Sequence, residues 1–353
     1  MNNKQKEKTM NKLTKLGASA LCGSLAAISA ANAGEMTVTG GVDMSWVSLA
    51  NETTGNPIGM GSNLTFKGSG ELDNGTTFAL TVANTNAQGY SNTNVVMTTP
   101  TMGEFRIDHG TTGTGLDAID DKMPSAWEEP WGTAVGTGVD LVDGVASGTN
   151  IQWTPPSDML PSGLTGTLTW APHASGKNAG DKAGSGDTGD NFGSGWDIVT
   201  NIDMGGFGVD GLTLHAGMSQ IDYTDQARVN TGDRTEYSFA AVYAFNNFTI
   251  GYQETDENLN AAAGGGTSNY DNSMYGVSFN VNDDLTISYG KTESEKDVMG
   301  GTNITMEATS LQLAYTVGGA SIRLAETSVD NVAYNTAAGE DNDGTTLSVS
   351  LAF

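Results

Sequence analysis

Cysteine is almost absent from this chain of 353 residues, and basic residues are scarce. The single cysteine, Cys22, lies within the first 33 residues, so the rest of the chain has no thiol for a disulfide or a cysteine metal site. Lysine and arginine together number 15 against 41 acidic residues, a formal net charge of −26 that is repelled by nucleic acid. These shortages exclude a disulfide-stapled domain and a nucleic-acid-binding role.

Proline and long apolar runs are scarce as well. Only 8 prolines accompany 48 glycines that follow no three-residue period, so neither a proline-rich linker nor collagen fits. Beyond residue 33 no run of 18 apolar residues occurs, which argues against a membrane-spanning helix there. A spanning β-barrel remains open, because its strands are apolar on one face only.

The first 33 residues have the features of a secretory signal peptide. Five lysines precede an apolar segment, and Ala31-Asn32-Ala33 supplies a small-x-small cleavage site. Either Met1 or Met10 is the start. Removing the five lysines and one glutamate of this segment leaves ten basic and forty acidic residues, a formal net charge of −30. We expect one exported domain over residues 34–353.

Apolar and polar residues alternate with period two along this domain. Near its start Met44 and Trp46 alternate with Asp43 and Ser45, the pattern of a strand with one apolar face. Counting two weaker segments, at 94–98 and 151–153, the pattern predicts sixteen strands, and no segment has the pattern of an amphipathic helix.

The connections between these strands differ in length. Asn, Asp and Gly form short turns, and long polar connections lie between those turns. The turns are at 73–75, 246–247, 282–284 and 318–319, and the long connections are 173–194, 222–234, 256–269, 295–304 and 330–343. Strict alternation of the two is typical of an outer-membrane barrel with periplasmic turns and extracellular loops, whereas a soluble sandwich gains nothing from it.

The third connection, from about Gly110 to Gly148, is far longer than an ordinary loop. It carries two tryptophans and many carboxylates, so we expect it to fold into the lumen and to place its acids at the narrowest point; a solvated surface loop is the alternative. The predicted acidic side of the constriction is Asp117, Asp120, Asp121, Glu128 and Glu129.

Three basic residues fall on the polar faces of predicted strands and therefore point into the lumen: Lys67, Arg106 and Arg323. We expect them to form a wall opposite the acidic loop. A transverse field between the two sides would orient polar solutes and hinder apolar ones.

At this point the chain resembles the general porins of Gram-negative bacteria, in particular the trimeric, sixteen-stranded type of alphaproteobacteria. The resemblance covers the whole of 34–353 and rests on GEFRIDHG at 103–110, NIQWTPP at 150–156, GLTGTLTW at 163–170 and the ending LSVSLAF at 347–353. It implies a homotrimer in the cell outer membrane, in contact with lipid and lipopolysaccharide. It also implies that the last strand with its terminal Phe353 is read by the barrel-assembly machinery.

Chemistry beyond permeation has little support in the sequence. His109, His173 and His215 are scattered, and no serine and acid can be placed beside any of them, so an enzyme is not expected. The acidic run at 339–344 lacks the full spacing of a calcium loop, which predicts loosely bound Ca²⁺ at most and no other cofactor or metal.

Two functions remain. The favoured one is a water-filled channel for passive diffusion of small hydrophilic solutes and ions, with a preference for cations. The other is an outer-membrane barrel that acts mainly in surface binding or adhesion. Thr, Ser, Asn and Gly dominate the inward face and would hydrate a lumen, which favours the channel.

Overall fold

The computed structural model describes residues 35–50, 56–86, 90–110, 113–174, 192–224, 232–260, 266–337 and 341–352. The predictions for the signal peptide and for Phe353 lie outside these residues. Within them sixteen antiparallel strands close into one barrel, each pairing with its neighbours in sequence and the first with the last. The strands are β1 (Met36–Leu49), β2 (Ile58–Glu71), β3 (Thr77–Thr85), β4 (Tyr90–Thr99), β5 (Gly103–His109), β6 (Thr149–Thr154), β7 (Leu164–Ala171), β8 (Phe192–Asp203), β9 (Leu212–Tyr223), β10 (Arg234–Phe245), β11 (Phe248–Asn258), β12 (Thr267–Asn280), β13 (Leu285–Val298), β14 (Ile304–Val317), β15 (Ala320–Asp330) and β16 (Asn342–Ala352).

The two-residue alternation decides which side chains face the lumen. On β8, Trp196 and Ile198 are exposed on the outer surface, whereas Asp197 and Val199 between and beyond them are buried inside. The sequence prediction of an all-β barrel with sixteen strands is confirmed.

Tight turns close one end of the barrel as predicted. Asn246 and Gly318 take left-handed φ angles of 51° and 58°, which asparagine and glycine adopt at low cost. In the turn at 72–76 the Thr76 N–H donates to Asn74 Oδ1 at 3.0 Å.

The strict alternation of short turns and long loops is wrong in detail. Connections 155–163 and 204–211 at the turn end are longer, because each contains a short 3-10 helix, Ser157–Met159 or Met204–Phe207. At the other end 299–303 is short, because β13 and β14 continue through polar residues such as Glu295 that the sequence pattern assigned to a loop.

The apolar core lies between the inner wall and the connection from β5 to β6, residues 110–148, which we call loop 3. Leu116, Ile119 and Val142 of the loop form one buried cluster with Val199 of β8. Two wall glycines allow the loop to approach, because a Cβ at Gly251 or Gly276 would lie 2.6 or 2.8 Å from Pro124 Cδ. Loop 3 therefore packs on the inward-facing side of the strands, and the position of its acids at the narrowest point stays a prediction.

The described part of the chain contains no helix that could span a bilayer.

Candidate functional site

Loop 3 runs along the inner wall from β8 towards β16. Its backbone is held by inward-facing polar side chains, since amides and hydroxyls on the wall satisfy peptide groups that a loop leaves unpaired. The hydrogen bonds of this outgoing arm are Leu116 N to Asp197 Oδ2 (2.9 Å), Gln253 Nε2 to Ile119 O (2.8 Å), Ala126 N to Ser288 Oγ (2.8 Å), Glu128 N to Gln312 Oε1 (3.1 Å), and Thr346 Oγ1 to Thr133 O (2.5 Å).

The returning arm of the loop is held in the same way. Asn272 Nδ2 donates to Asp140 O at 2.9 Å, and Gly144 N donates to Glu236 Oε2 at 2.7 Å. Val145 N donates at 3.1 Å to Asp197, the carboxylate that also accepts from Leu116. Asp197 therefore joins both arms of loop 3 to β8.

Two glycines allow this double contact. Gly115 and Gly144 both have φ of +58°, and a Cβ on either would overlap the Asp197 carboxylate. The buried apolar residues of the loop pack on the same part of the wall, so hydrogen bonding and apolar burial fix the loop in one place.

The five predicted acidic residues lie on the outgoing arm. Asp117 accepts a hydrogen bond from Gly113 N, and Asp121 is exposed and pairs with Lys122 at 3.2 Å. Asp120, Glu128 and Glu129 are half-buried.

Burial changes the protonation of these acids. It raises the pKa of Asp120 to about 8, with repulsion from Asp121 and Asp117 adding to the effect, and raises the pKa of Glu129 to about 7. The pKa values of Asp117 and Glu128 are also raised, mainly by burial. At neutral pH the loop therefore carries less negative charge than its composition implies.

The three predicted basic residues have different surroundings. Lys67 on β2 is exposed and makes no ion pair with any described residue. Arg106 on β5 pairs with Asp108 at 2.5 Å and donates to Gly113 O at the start of loop 3. Arg323 on β15 lies beside the loop rather than across from it, since its guanidinium sits 5.3 Å from the Trp127 ring. Arg323 therefore lies beside loop 3, because the loop's path along β14 to β16 brings it there, and a wall of Lys67 and Arg106 opposite the loop stays a prediction.

Sequence reasoning missed a buried charge cluster behind the returning arm. Arg234 on β10 pairs with Glu236 at 2.6 Å and with Glu257 at 2.5 Å, and the two carboxylate side chains are almost fully buried. The sequence contained a sign of this cluster, because charged residues fall on the inward faces of two successive strands. These residues are Arg234 and Glu236 on one strand and Glu257, beside Gln253, on the next.

Two of the three histidines are placed by hydrogen bonds to neighbouring polar side chains. His215 Nδ1 hydrogen-bonds Asn201 Oδ1 at 2.6 Å, and His109 Nδ1 lies 3.2 Å from Thr149 Oγ1. No group of three His, Cys, Asp or Glu in the described part of the chain is arranged to hold a metal ion. Part of the acidic run at 339–344 lies outside the described residues.

Comparison with known proteins gives one family and a set of similar folds. The family model described as Gram-negative porin matches residues 17–353. No curated protein matches the chain.

Several solved structures share the fold at low identity. OmpF of Salmonella typhi in complex with daunomycin is 12% identical with a TM-score of 0.66, covering 91% of this chain and 98% of its own. The anion-selective porin from Comamonas acidovorans is 16% identical with a TM-score of 0.62, covering 91% and 100%. OmpT of Vibrio cholerae is 13% identical with a TM-score of 0.63, covering 91% and 98%.

Proposed function

Because this chain belongs to the Gram-negative porin family, which makes it an outer-membrane channel, we propose that it passes small hydrophilic solutes and ions by passive diffusion. The observation that carries the proposal is that loop 3 is hydrogen-bonded to the inner wall of a closed barrel, while a cavity lies beside β1 and β2. A cavity of about 380 Å³ lies there, lined among others by Asp43, Asn63 and Arg323. Polar and charged side chains of this kind in the lining keep water in a wide barrel.

We further propose that the channel prefers cations. Asp43 neutralises Arg323 at 2.8 Å and Asp108 neutralises Arg106 at 2.5 Å, so Lys67 is the basic residue of the three that faces solutes without a partner among the described residues. The acids of loop 3 oppose the charge of Lys67, and the net charge of −30 over residues 34–353 adds an overall attraction for cations. Carboxylates at a constriction lower the barrier for cations and raise it for anions.

We also propose that the chain assembles as a homotrimer. A homotrimer is supported by the solved in-vitro folded OmpT of Vibrio cholerae, described as a trimer form, which is 12% identical to this chain. Contact with membrane lipid and lipopolysaccharide, recognition by the barrel-assembly machinery and loose Ca²⁺ binding at external acidic loops stay predictions. The family and the fold favour the channel over the surface-binding barrel.

The test is permeation through purified, folded protein in liposomes. Neutral sugars of increasing size should enter at rates that fall steeply with size, whereas protein-free liposomes stay tight. In a salt gradient the reversal potential should have the sign of a cation preference, and Asp120→Asn/Asp121→Asn should reduce it. Liposomes as tight as the protein-free control would overturn the diffusion proposal, and an anion-selective wild type would overturn the cation preference.

A further inference from the structure

Arg323 occupies a place that a pore-lining charge does not explain. It rises from β15, reaches across β16, and donates through Nη2 to Asp43 Oδ2 of β1 at 2.8 Å. Ser348 of the intervening strand donates to the other oxygen of Asp43 at 2.5 Å. Arg323 is thus held by a carboxylate that is itself fixed, and the pair has no net charge to offer a passing ion.

The other side of the Arg323 guanidinium faces loop 3. Its centre lies 5.3 Å from the ring of Trp127, within the range of a cation–π contact. The backbone on either side of that ring is held by Gln312, whose Oε1 accepts from Trp127 N at 3.2 Å and from Glu128 N at 3.1 Å. We call residues 124–128 the loop tip.

Arg323 connects the loop tip to open space. It lines the cavity beside β1 and β2 together with Asp43, and its guanidinium contacts the ring of Trp127 in the loop tip. A shift of the loop tip towards β1 would narrow this cavity. If the loop tip left the wall, the width of the cavity would change as the tip moved.

We propose that Arg323 is a positioning residue that clamps the loop tip against β15 and β16, and so sets the size limit of the channel rather than its ion preference. This inference rests on the proposed function, because it names what fixes the width of that channel. Lys67 is the counterpart: it faces solutes without an ion-pair partner among the described residues, so its charge acts on ions.

The geometry demands arginine. A guanidinium is planar, so it can lie on the indole and still present an edge N–H to Asp43. A lysine at 323 keeps the positive charge but presents a compact ammonium that does not reproduce both contacts. Arg323→Lys therefore removes the contacts that hold the loop tip but keeps the positive charge.

The experiment compares Arg323→Lys, Arg323→Gln and Lys67→Gln in planar bilayers and in liposomes with sugars of graded size. Arg323→Gln and Lys67→Gln remove the same charge, whereas Arg323→Lys removes none. In Arg323→Lys we expect an unchanged reversal potential, entry of larger sugars, and brief conductance substates about tenfold more frequent, which corresponds to about 1.4 kcal/mol of lost docking. Lys67→Gln should shift the reversal potential in the direction of a stronger cation preference, without additional conductance substates.

A second readout does not depend on conduction. Residues 34–353 contain no cysteine, so Ser125→Cys introduces a single thiol at the loop tip. Its reaction with a small thiol reagent should be about tenfold faster with Arg323→Lys, and also faster with Asp43→Asn, than in the Ser125→Cys background. Heat-modifiable migration confirms that each compared barrel is folded.

The outcomes separate the two proposals. Suppose that the wild type conducts and that Arg323→Lys matches it in size limit, conductance substates and thiol reactivity. If Arg323→Gln then shifts the reversal potential as Lys67→Gln does, Arg323 acts as a charge, and the proposal that it positions the loop tip is wrong. If the wild type does not conduct, the diffusion proposal fails, and the thiol reaction still decides whether Arg323 holds the tip.

Discussion

Gly115→Ala should release the start of loop 3 from the wall. Gly115 has φ of +58°, and a Cβ there would overlap the Asp197 carboxylate. That carboxylate cannot move aside without losing its hydrogen bonds from Leu116 N at 2.9 Å and Val145 N at 3.1 Å. The substitution therefore affects both arms of the loop through one side chain.

The size of the effect follows from a matched control. Gly113→Ala introduces the same left-handed strain, about 1–2 kcal/mol, because Gly113 has φ of +74°, but no atom lies within 4 Å of the new methyl group. The difference between the two variants isolates the contact with Asp197. It should be about 1.5–3 kcal/mol if one charge-assisted hydrogen bond is lost and about twice that if both are lost.

Trypsin cleavage after Lys122 measures the release, because this side chain is only about a quarter exposed while the loop is docked. When opening is fast, cleavage follows the population of the opened loop, so a 1.4 kcal/mol difference gives about tenfold faster cutting. We expect Gly115→Ala barrels to be cut at least tenfold faster than Gly113→Ala barrels. Equal cleavage rates in the two variants would mean that the Asp197 contact does not hold the loop.

Three further predictions concern selectivity and assembly. The cation preference should grow between pH 6 and 9, because burial raises the pKa of Glu129 to about 7 and that of Asp120 to about 8, so that Asp120 is about one-tenth ionised at pH 7 and about nine-tenths at pH 9. Asp120→Asn/Glu129→Gln should flatten that rise in the reversal potential, and an equally steep rise in the double variant would count against these two acids. Cation preference should also weaken in 1 M salt, where the Debye length is about 3 Å instead of about 10 Å at 0.1 M, and a salt-independent reversal ratio would contradict a charge filter. Deleting Phe353 should lower the yield of heat-modifiable barrel without changing export, and normal assembly would remove the terminal-signal prediction.

The same raised pKa values bear on stability. Because folding raises them, the protonated carboxyls of Asp120 and Glu129 favour the folded state at pH below their unfolded pKa, about 4. That contribution is lost as pH rises through about 7 and 8.

The alternation of side chains predicted the barrel because each strand has one apolar face on the outer surface and one face towards the lumen or loop 3. Trp196 and Asp197 differ by one position and lie on opposite faces, and such pairs recur along the chain. Strand ends were less predictable, since polar residues such as Glu295 continue the pairing beyond the apolar band.

The site was only partly predictable because its contacts join distant parts of the sequence. The acidic loop was identified from its length and composition, but its path depends on Asp197 and Gln312, which are polar residues on ordinary strands. Arg323 illustrates the same limit. The two-residue alternation predicts that its side chain points inward. Its contacts with β1 and loop 3 depend on closure of the barrel and on the path of the loop.

Single-channel recording of the purified, folded wild-type protein in a planar bilayer tests most directly whether it forms a water-filled channel. We predict stepwise conductance increases that scale with bulk salt concentration, with a reversal potential of cation-preferring sign in a salt gradient. A folded, heat-modifiable barrel that inserts without any conductance would contradict the central claim.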